Sequence, residues 1–123
     1  MKILAVDDHA DTTSTHVQLL KALGFDAHGG TDGSKVLELL EQLRPDVLLL
    51  DLMMPIVSGY DVARQLKKRP ELRPRCVIAV SGMSHTDDAE RAKAAGFDYF
   101  LLKPIILAEL LAALADGFQV DSA

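Results

Sequence analysis

Residues 47–55 read Val47-Leu48-Leu49-Leu50-Asp51-Leu52-Met53-Met54-Pro55. Four apolar residues run unbroken into a carboxylate, and a proline follows soon after. A short apolar run without polar alternation reads as a strand buried on both faces, as in a parallel sheet covered by helices. Asp51 then stands where that strand ends. Open parallel α/β sheets bind their ligands at the carboxyl ends of the strands. A buried strand that delivers an acid to that edge presents it for chemistry.

The flanking sequence supplies the rest of such a sheet. Residues 2–6 are a first apolar strand ending in Asp7-Asp8. Residues 10–23 turn helical, with Val17, Leu20 and Leu23 on one face and Leu19 beside them. Asp11 or Thr12 can cap this helix, and Gly24 closes it. A short second strand spans residues 25–28, with Gly29-Gly30 as its turn. Thr31 or Asp32 caps a second helix carrying Val36, Leu37, Leu39, Leu40 and Leu43, which Pro45 stops. The organising strand covers 46–50. Ser58 and Asp61 form a capping-box pattern that opens a third helix to about residue 68. After a proline-bounded linker, residues 75–80 are a fourth strand, followed by Ser81-Gly82. A second capping pattern over 84–87 opens a fourth helix to about residue 95, with Ala89, Ala92 and Ala95 facing inward. Residues 97–102 form the fifth strand and meet Lys103-Pro104. Leu107, Leu110, Leu111 and Leu114 line a last helix ending near Gly117. Five strand–helix repeats with short connections define a doubly wound α/β sheet in a single domain over residues 1–123.

Bulk properties exclude several function classes. The chain is 49% hydrophobic and 25% charged, an ordinary globular balance. No apolar run approaches the roughly 20 residues that span a bilayer, so membrane insertion is not expected. A net charge of −5 argues against nucleic acid as a direct partner. The single cysteine, Cys76, precludes an internal disulfide and fits a cytoplasmic location. It lies in an apolar run and reads as a core residue. The four histidines (His9, His16, His28 and His85) show no metal-ligand spacing. His9 follows the acidic pair and stands near the site; the others are expected to face solvent.

Four strand ends carry Asp7-Asp8, Asp51, Ser81 and Lys103. Parallel strands place these ends on one side, so three carboxylates, a hydroxyl and an ammonium converge. Close carboxylates repel and call for a cation. Hard oxygen donors suit Mg²⁺. A carboxylate beside a divalent cation, a lysine and a hydroxyl is arranged to accept a phosphoryl group. Taken singly, each residue has an ordinary explanation: a turn or cap for the acids, a turn for Ser81-Gly82, a solvated charge for Lys103. Four of them at equivalent strand ends are not explained that way.

With Pro55 and Gly59 downstream of Asp51, and Pro104 after Lys103, the pattern resembles the receiver domain of two-component response regulators over nearly the whole chain. The resemblance implies a flavodoxin-like sheet of order 2-1-3-4-5 with five helices. It implies Asp51 as phosphoacceptor, and Mg²⁺ held by Asp7, Asp8, Asp51 and the Met53 carbonyl. Ser81 and Phe100 would be the switch residues, Lys103 would contact phosphoryl oxygens, and the peptide before Pro104 would be cis. The implied partners are a histidine kinase or histidine phosphotransfer protein and an output protein. The implied role is a switch, not a turnover enzyme. Ile105 replaces a frequent aromatic of the family, serine replaces the commoner threonine at 81, and Phe100 has no hydroxyl to signal with. The short tail after Gly117 suggests a stand-alone receiver or one from a hybrid kinase. A phosphohydrolase using an aspartyl nucleophile is the rival, but such enzymes usually carry a second acid where Met53 stands. A docking-only pseudo-receiver is disfavoured by the intact acids and Lys103.

Met53 and Met83 lie two residues past Asp51 and Ser81, where the resemblance places the groups that orient or block the hydrolytic water. A thioether orients water poorly. The aspartyl phosphate should therefore be long-lived, and Met53→Asn or Met83→Glu should speed its decay, since positioning the water is typically worth a factor of ~10² or more. The measurement is the decay of phosphorylated protein over time. Equal lifetimes in all three proteins would mean that water access is set elsewhere.

Overall fold

Apolar strands need cover on both faces, and the chain supplies it by returning through a helix after each strand. The computed structural model describes residues 1–82 and 88–119. The strands are β1 (Lys2–Val6), β2 (Asp26–Gly30), β3 (Val47–Asp51), β4 (Cys76–Ser81) and β5 (Tyr99–Leu102). The helices are α1 (Ala10–Ala22), α2 (Val36–Leu43), α3 (Gly59–Lys68), α4 (Asp88–Ala95) and α5 (Leu107–Gln119). All strand pairs are parallel, in the order β2-β1-β3-β4-β5. This is the doubly wound architecture and the strand order expected from the sequence.

Strand alternation divides the core in two. Leu4, Val6, Leu48, Leu50, Val77 and Ala79 face α2, α3 and α4, with Val36, Leu40, Val62 and Leu66 packed on them. Ile3, Ala5, Val47, Leu49, Ile78 and Val80 face the other way, against Leu20 of α1 and Leu110 and Leu114 of α5. Every residue of β3 is buried, including Asp51. Fully burying a leucine contributes about 1.5–3 kcal/mol, so the four core residues before Asp51 hold its backbone firmly. Ser58 and Asp61 form the expected capping box: the Asp61 N–H donates to Ser58 Oγ at 3.2 Å, and the Ser58 N–H donates to Asp61 Oδ2 at 2.9 Å.

Several local expectations are corrected. Gly29 and Gly30 are not a turn but the end of β2, paired with Ala5 and Val6. A Cβ on Gly29 would lie 2.7 Å from Thr13 Cγ2, and one on Gly30 would lie 2.9 Å from Leu39 Cδ1. The glycines let α1 and α2 approach the sheet edge. His9, rather than Asp11 or Thr12, is the N-cap of α1. Leu23 follows the helix and is exposed. Of the three alanines expected to face inward on α4, Ala92 is buried and Ala95 packs half-buried against the core, but Ala89 is exposed; Asp88, four residues before Ala92, takes the other buried position. The capping pattern expected over 84–87 lies outside the described residues. Leu107 and Leu111 are more than one third exposed, while Leu110, Ala113 and Leu114 form the buried face of α5. Gly117, near which the last helix is expected to end, lies in the final turn of α5 as described. Its missing side chain admits Cys76, whose Sγ would be 3.0 Å from an added Cβ.

One glycine fixes the loop after β3. The Gly59 N–H donates to the Leu52 carbonyl at 3.1 Å, and a Cβ there would lie 2.6 Å from the Asp51 carbonyl oxygen. Gly59→Ala should lower the unfolding free energy by about 1–3 kcal/mol through overpacking, read by urea denaturation. Gly24→Ala meets open space at φ +94° and should cost only the left-handed backbone penalty of about 1–2 kcal/mol. An unaffected Gly59→Ala protein would show that this loop yields freely.

Candidate functional site

The carboxyl ends of the strands bring the acids together, and local hydrogen bonds aim them. The Asp7 N–H donates to the Gly30 carbonyl at 3.1 Å, and the Thr13 hydroxyl donates to the Asp7 carbonyl at 2.8 Å. These bonds tie the end of β1 to β2 and α1. The Met53 N–H donates to Asp51 Oδ1 at 3.1 Å, so the loop after β3 orients its own acid. The Lys103 N–H donates to the Ser81 carbonyl at 2.9 Å, which holds the end of β5 to the end of β4. The Lys103–Pro104 peptide is cis.

The centre of the site is the Lys103 ammonium, which contacts Asp7 Oδ2 and lies 3.3 Å from Asp51 Oδ2. Asp7, Asp51 and Ser81 are each 3% exposed. Burial alone would raise the Asp7 pKa. The Lys103 ammonium and the His9 N–H outweigh it and hold the carboxyl below its ordinary 3.8. At Asp51 burial wins over the Met53 N–H and Lys103, and the Asp7 charge adds to it, so the carboxyl sits above 3.8. Burial would lower the Lys103 pKa, but the hydrogen bond to Asp7 and the charges of both acids raise it above 10.5.

The donor set fits a hard divalent cation. Asp8 Oδ1 is buried and accepts no hydrogen bond among the described residues, which is costly for a carboxylate without a counter-charge. The ligand atoms that lie within 4.8 Å of one another belong to Asp7, Asp8 and His9. Asp51 is joined to that group through Lys103. Asp8, Met53, Ser81, Asp88 and Arg91 line one cavity of about 730 Å³ beside the acids. The Met53 side chain is 58% exposed at its rim. Met83 lies outside the described residues. Phe100 is half-buried against the core under α4, and Tyr99 points to the opposite face, where its hydroxyl donates to Asp116.

Three residues enter that the sequence did not single out. Asp88 is buried and sits 3.9 Å from Arg91; its place four residues before Ala92 was the available signal. The Arg91 guanidinium lies over the Tyr60 ring at 5.2 Å. His16 is half-buried, not exposed, in a groove with Lys103 and Pro104. Burial there lowers its pKa below 6.5. Cys76 is buried, and burial pushes its thiol up to about 11, as suits an inert core residue.

Comparison with known proteins gives a consistent picture. The family model described as the response regulator receiver domain matches residues 3–115. The transcriptional regulatory protein PrrA of Mycobacterium leprae is 35% identical over 111 residues, covering 90% of this chain and 47% of PrrA. The chain therefore spans about half the length of that relative. The polar-differentiation response regulator DivK of Brucella anthropi is 33% identical over 103 residues, covering 84% of both proteins. The Francisella response regulator 1452 receiver domain superposes with a TM-score of 0.86 at 25% identity, covering 98% of each chain. A response regulator receiver protein from Pseudomonas putida gives 0.82 at 31% identity, covering 94% of this chain and 95% of its own.

The opposite shifts of Asp7 and Asp51 have opposite consequences for the metal-free protein. Asp7, depressed, contributes stability above 3.8 that is lost as pH falls through its folded pKa. Asp51, raised, opposes folding when ionised, so stability recovers as pH falls through its folded pKa towards 3.8. Asp51→Asn should raise stability at pH 7 by on the order of 1 kcal/mol and remove that recovery. Urea titrations at pH 7 and pH 4.5 read both effects. A destabilised variant would overturn the assignment of Asp51 as the strained acid.

Proposed function

Because the chain belongs to the response regulator receiver domain family, we propose that it is a phosphorylation switch whose phosphoacceptor is Asp51. The observation that carries this reading is the single ammonium, Lys103, touching the carboxylates of both Asp7 and Asp51. A buried acid paired with a cation, beside a cavity lined by its loop neighbours Leu52 and Met53, is set to attack, not merely to cap a turn.

In the proposed reaction an Asp51 oxygen attacks the phosphorus of a phosphohistidine on a partner kinase or phosphotransfer protein. The new O–P bond forms as the P–N bond breaks, and the electron pair stays on the histidine nitrogen. Lys103 passes from the Asp51 carboxylate to the phosphoryl oxygens and offsets their charge. Asp7, Asp8, Asp51 and the Met53 carbonyl would hold Mg²⁺, which when bound supplies further neutralisation of those oxygens. Ser81, at the end of β4, donates its hydroxyl to the phosphoryl group. Phe100, the register partner of Ala79 on the adjacent strand, moves into the space Ser81 leaves.

The output would be a change in the surface around α4, β5 and α5. The buried residues of α4 among those described are Ala92 and Asp88. An alanine buries little area and anchors a helix weakly. Local openings are drawn from such low-stability elements, so α4 is suited to shift when the Ser81 end of β4 changes. An output protein recognising that surface would read the phosphorylation state.

Acetyl phosphate with Mg²⁺ should add one phosphoryl group to the wild type by intact mass, and that species should vanish in Asp51→Asn. Equal phosphorylation of the two proteins would overturn the assignment.

A further inference from the structure

His9 Nδ1 lies 3.2 Å from Asp7 Oδ1 and 3.3 Å from Asp8 Oδ1. The two carboxylate side chains are 4% and 24% exposed, whereas the imidazole is 71% exposed. Asp8 Oδ1 is the buried oxygen that accepts no hydrogen bond among the described residues. Three electron-rich atoms at this separation repel unless a positive centre sits among them. That centre is either a proton on Nδ1 or a cation. Two donors in adjacent positions of an octahedral ion, each about 2.1 Å from the metal, lie ~3.0 Å apart. The spacings of Nδ1 from the two oxygens are close to that value. The backbone helps to set the arrangement: the His9 N–H donates to Asp7 Oδ1 at 2.9 Å, and His9 is the N-cap of α1 with extended geometry, φ −89° and ψ 114°. The imidazole is thus carried by the same turn as both acids.

We propose that His9 Nδ1 is a protein ligand of the divalent cation bound at Asp7 and Asp8, and that it biases the site towards first-row transition ions over Mg²⁺. The chemistry differs sharply between the two classes. Mg²⁺ takes hard oxygen donors, keeps several waters and gains little from a nitrogen. An imidazole adds affinity for Mn²⁺, Co²⁺ and Zn²⁺ in rising order of their preference for nitrogen. An all-oxygen site follows the same order less steeply, so a nitrogen next to the acid pair sharpens the choice of metal. The inference rests on the acidic pocket being the metal site of the proposed phosphoryl transfer.

The test is calorimetric titration of the full chain with Mg²⁺ and with Co²⁺, in wild type, His9→Ala and Asp8→Ala. His9→Ala should weaken Co²⁺ by ~10-fold or more, the loss typical of disturbing a metal site, and change Mg²⁺ less than about 2-fold. Proton NMR of the Co²⁺-loaded wild type should show a hyperfine-shifted, exchangeable imidazole N–H resonance that is missing in His9→Ala. Equal effects of His9→Ala on both ions, or no shifted imidazole resonance, overturn the ligand assignment while leaving the phosphorylation reading intact. Undiminished binding of both ions by Asp8→Ala overturns the metal site itself, and the ligand assignment with it.

Discussion

Everything at the functional edge depends on one charge arrangement: a lysine from the end of β5 reaching two acids from the ends of β1 and β3. Two buried carboxylates side by side are unstable alone. One ammonium cannot satisfy three acids equally. Lys103 contacts Asp7 and Asp51, and Asp8 is left with an oxygen that accepts no hydrogen bond among the described residues. Among the described residues, three carboxylates thus outnumber the ammonium at this edge.

That arrangement is possible because the backbone is fixed beneath it. The four apolar residues before Asp51 split between both cores, so β3 cannot slide without exposing leucine. Above it, the loop is bound by close backbone approach. A Cβ on Gly33 would lie 2.2 Å from the Val57 carbonyl oxygen, and one on Gly59 would lie 2.6 Å from that of Asp51. Between them Ile56 adopts φ 67°, with the Val57 N–H donating to the Pro55 carbonyl at 2.7 Å. A positive φ in a β-branched residue is strained. The loop holds this conformation because its two glycine contacts leave it little alternative.

The far side of the cavity is built differently. α4 buries Ala92 and Asp88 rather than a leucine stripe, and its contact with α3 includes Arg91 over the Tyr60 ring, which also meets Phe97, just past α4, edge-on. Cation–π contacts of this kind contribute ~0.5–1 kcal/mol at exposed sites, far less than a buried leucine. A firm wall carrying the acids thus faces a loosely held one.

The fold and much of the site were legible in the sequence because their signals are local. Unbroken apolar runs mark buried parallel strands, helical spacing marks their cover, and a polar residue at each strand end marks the reactive edge. That logic named Asp7, Asp8, Asp51, Ser81 and Lys103 without any distance being known. The misreadings arose where a residue answers to something remote in sequence. Local pattern makes Gly29 and Gly30 a turn, but they clear space for Thr13 and Leu39. The burial of Asp88 depends on the rotation of α4 against the sheet, and the place of His9 on the turn that brings its ring to Asp7 and Asp8. Periodicity gives the phase of an element against itself. Only the packed structure gives its phase against its neighbours, because that is set by side-chain contacts between residues far apart in the chain.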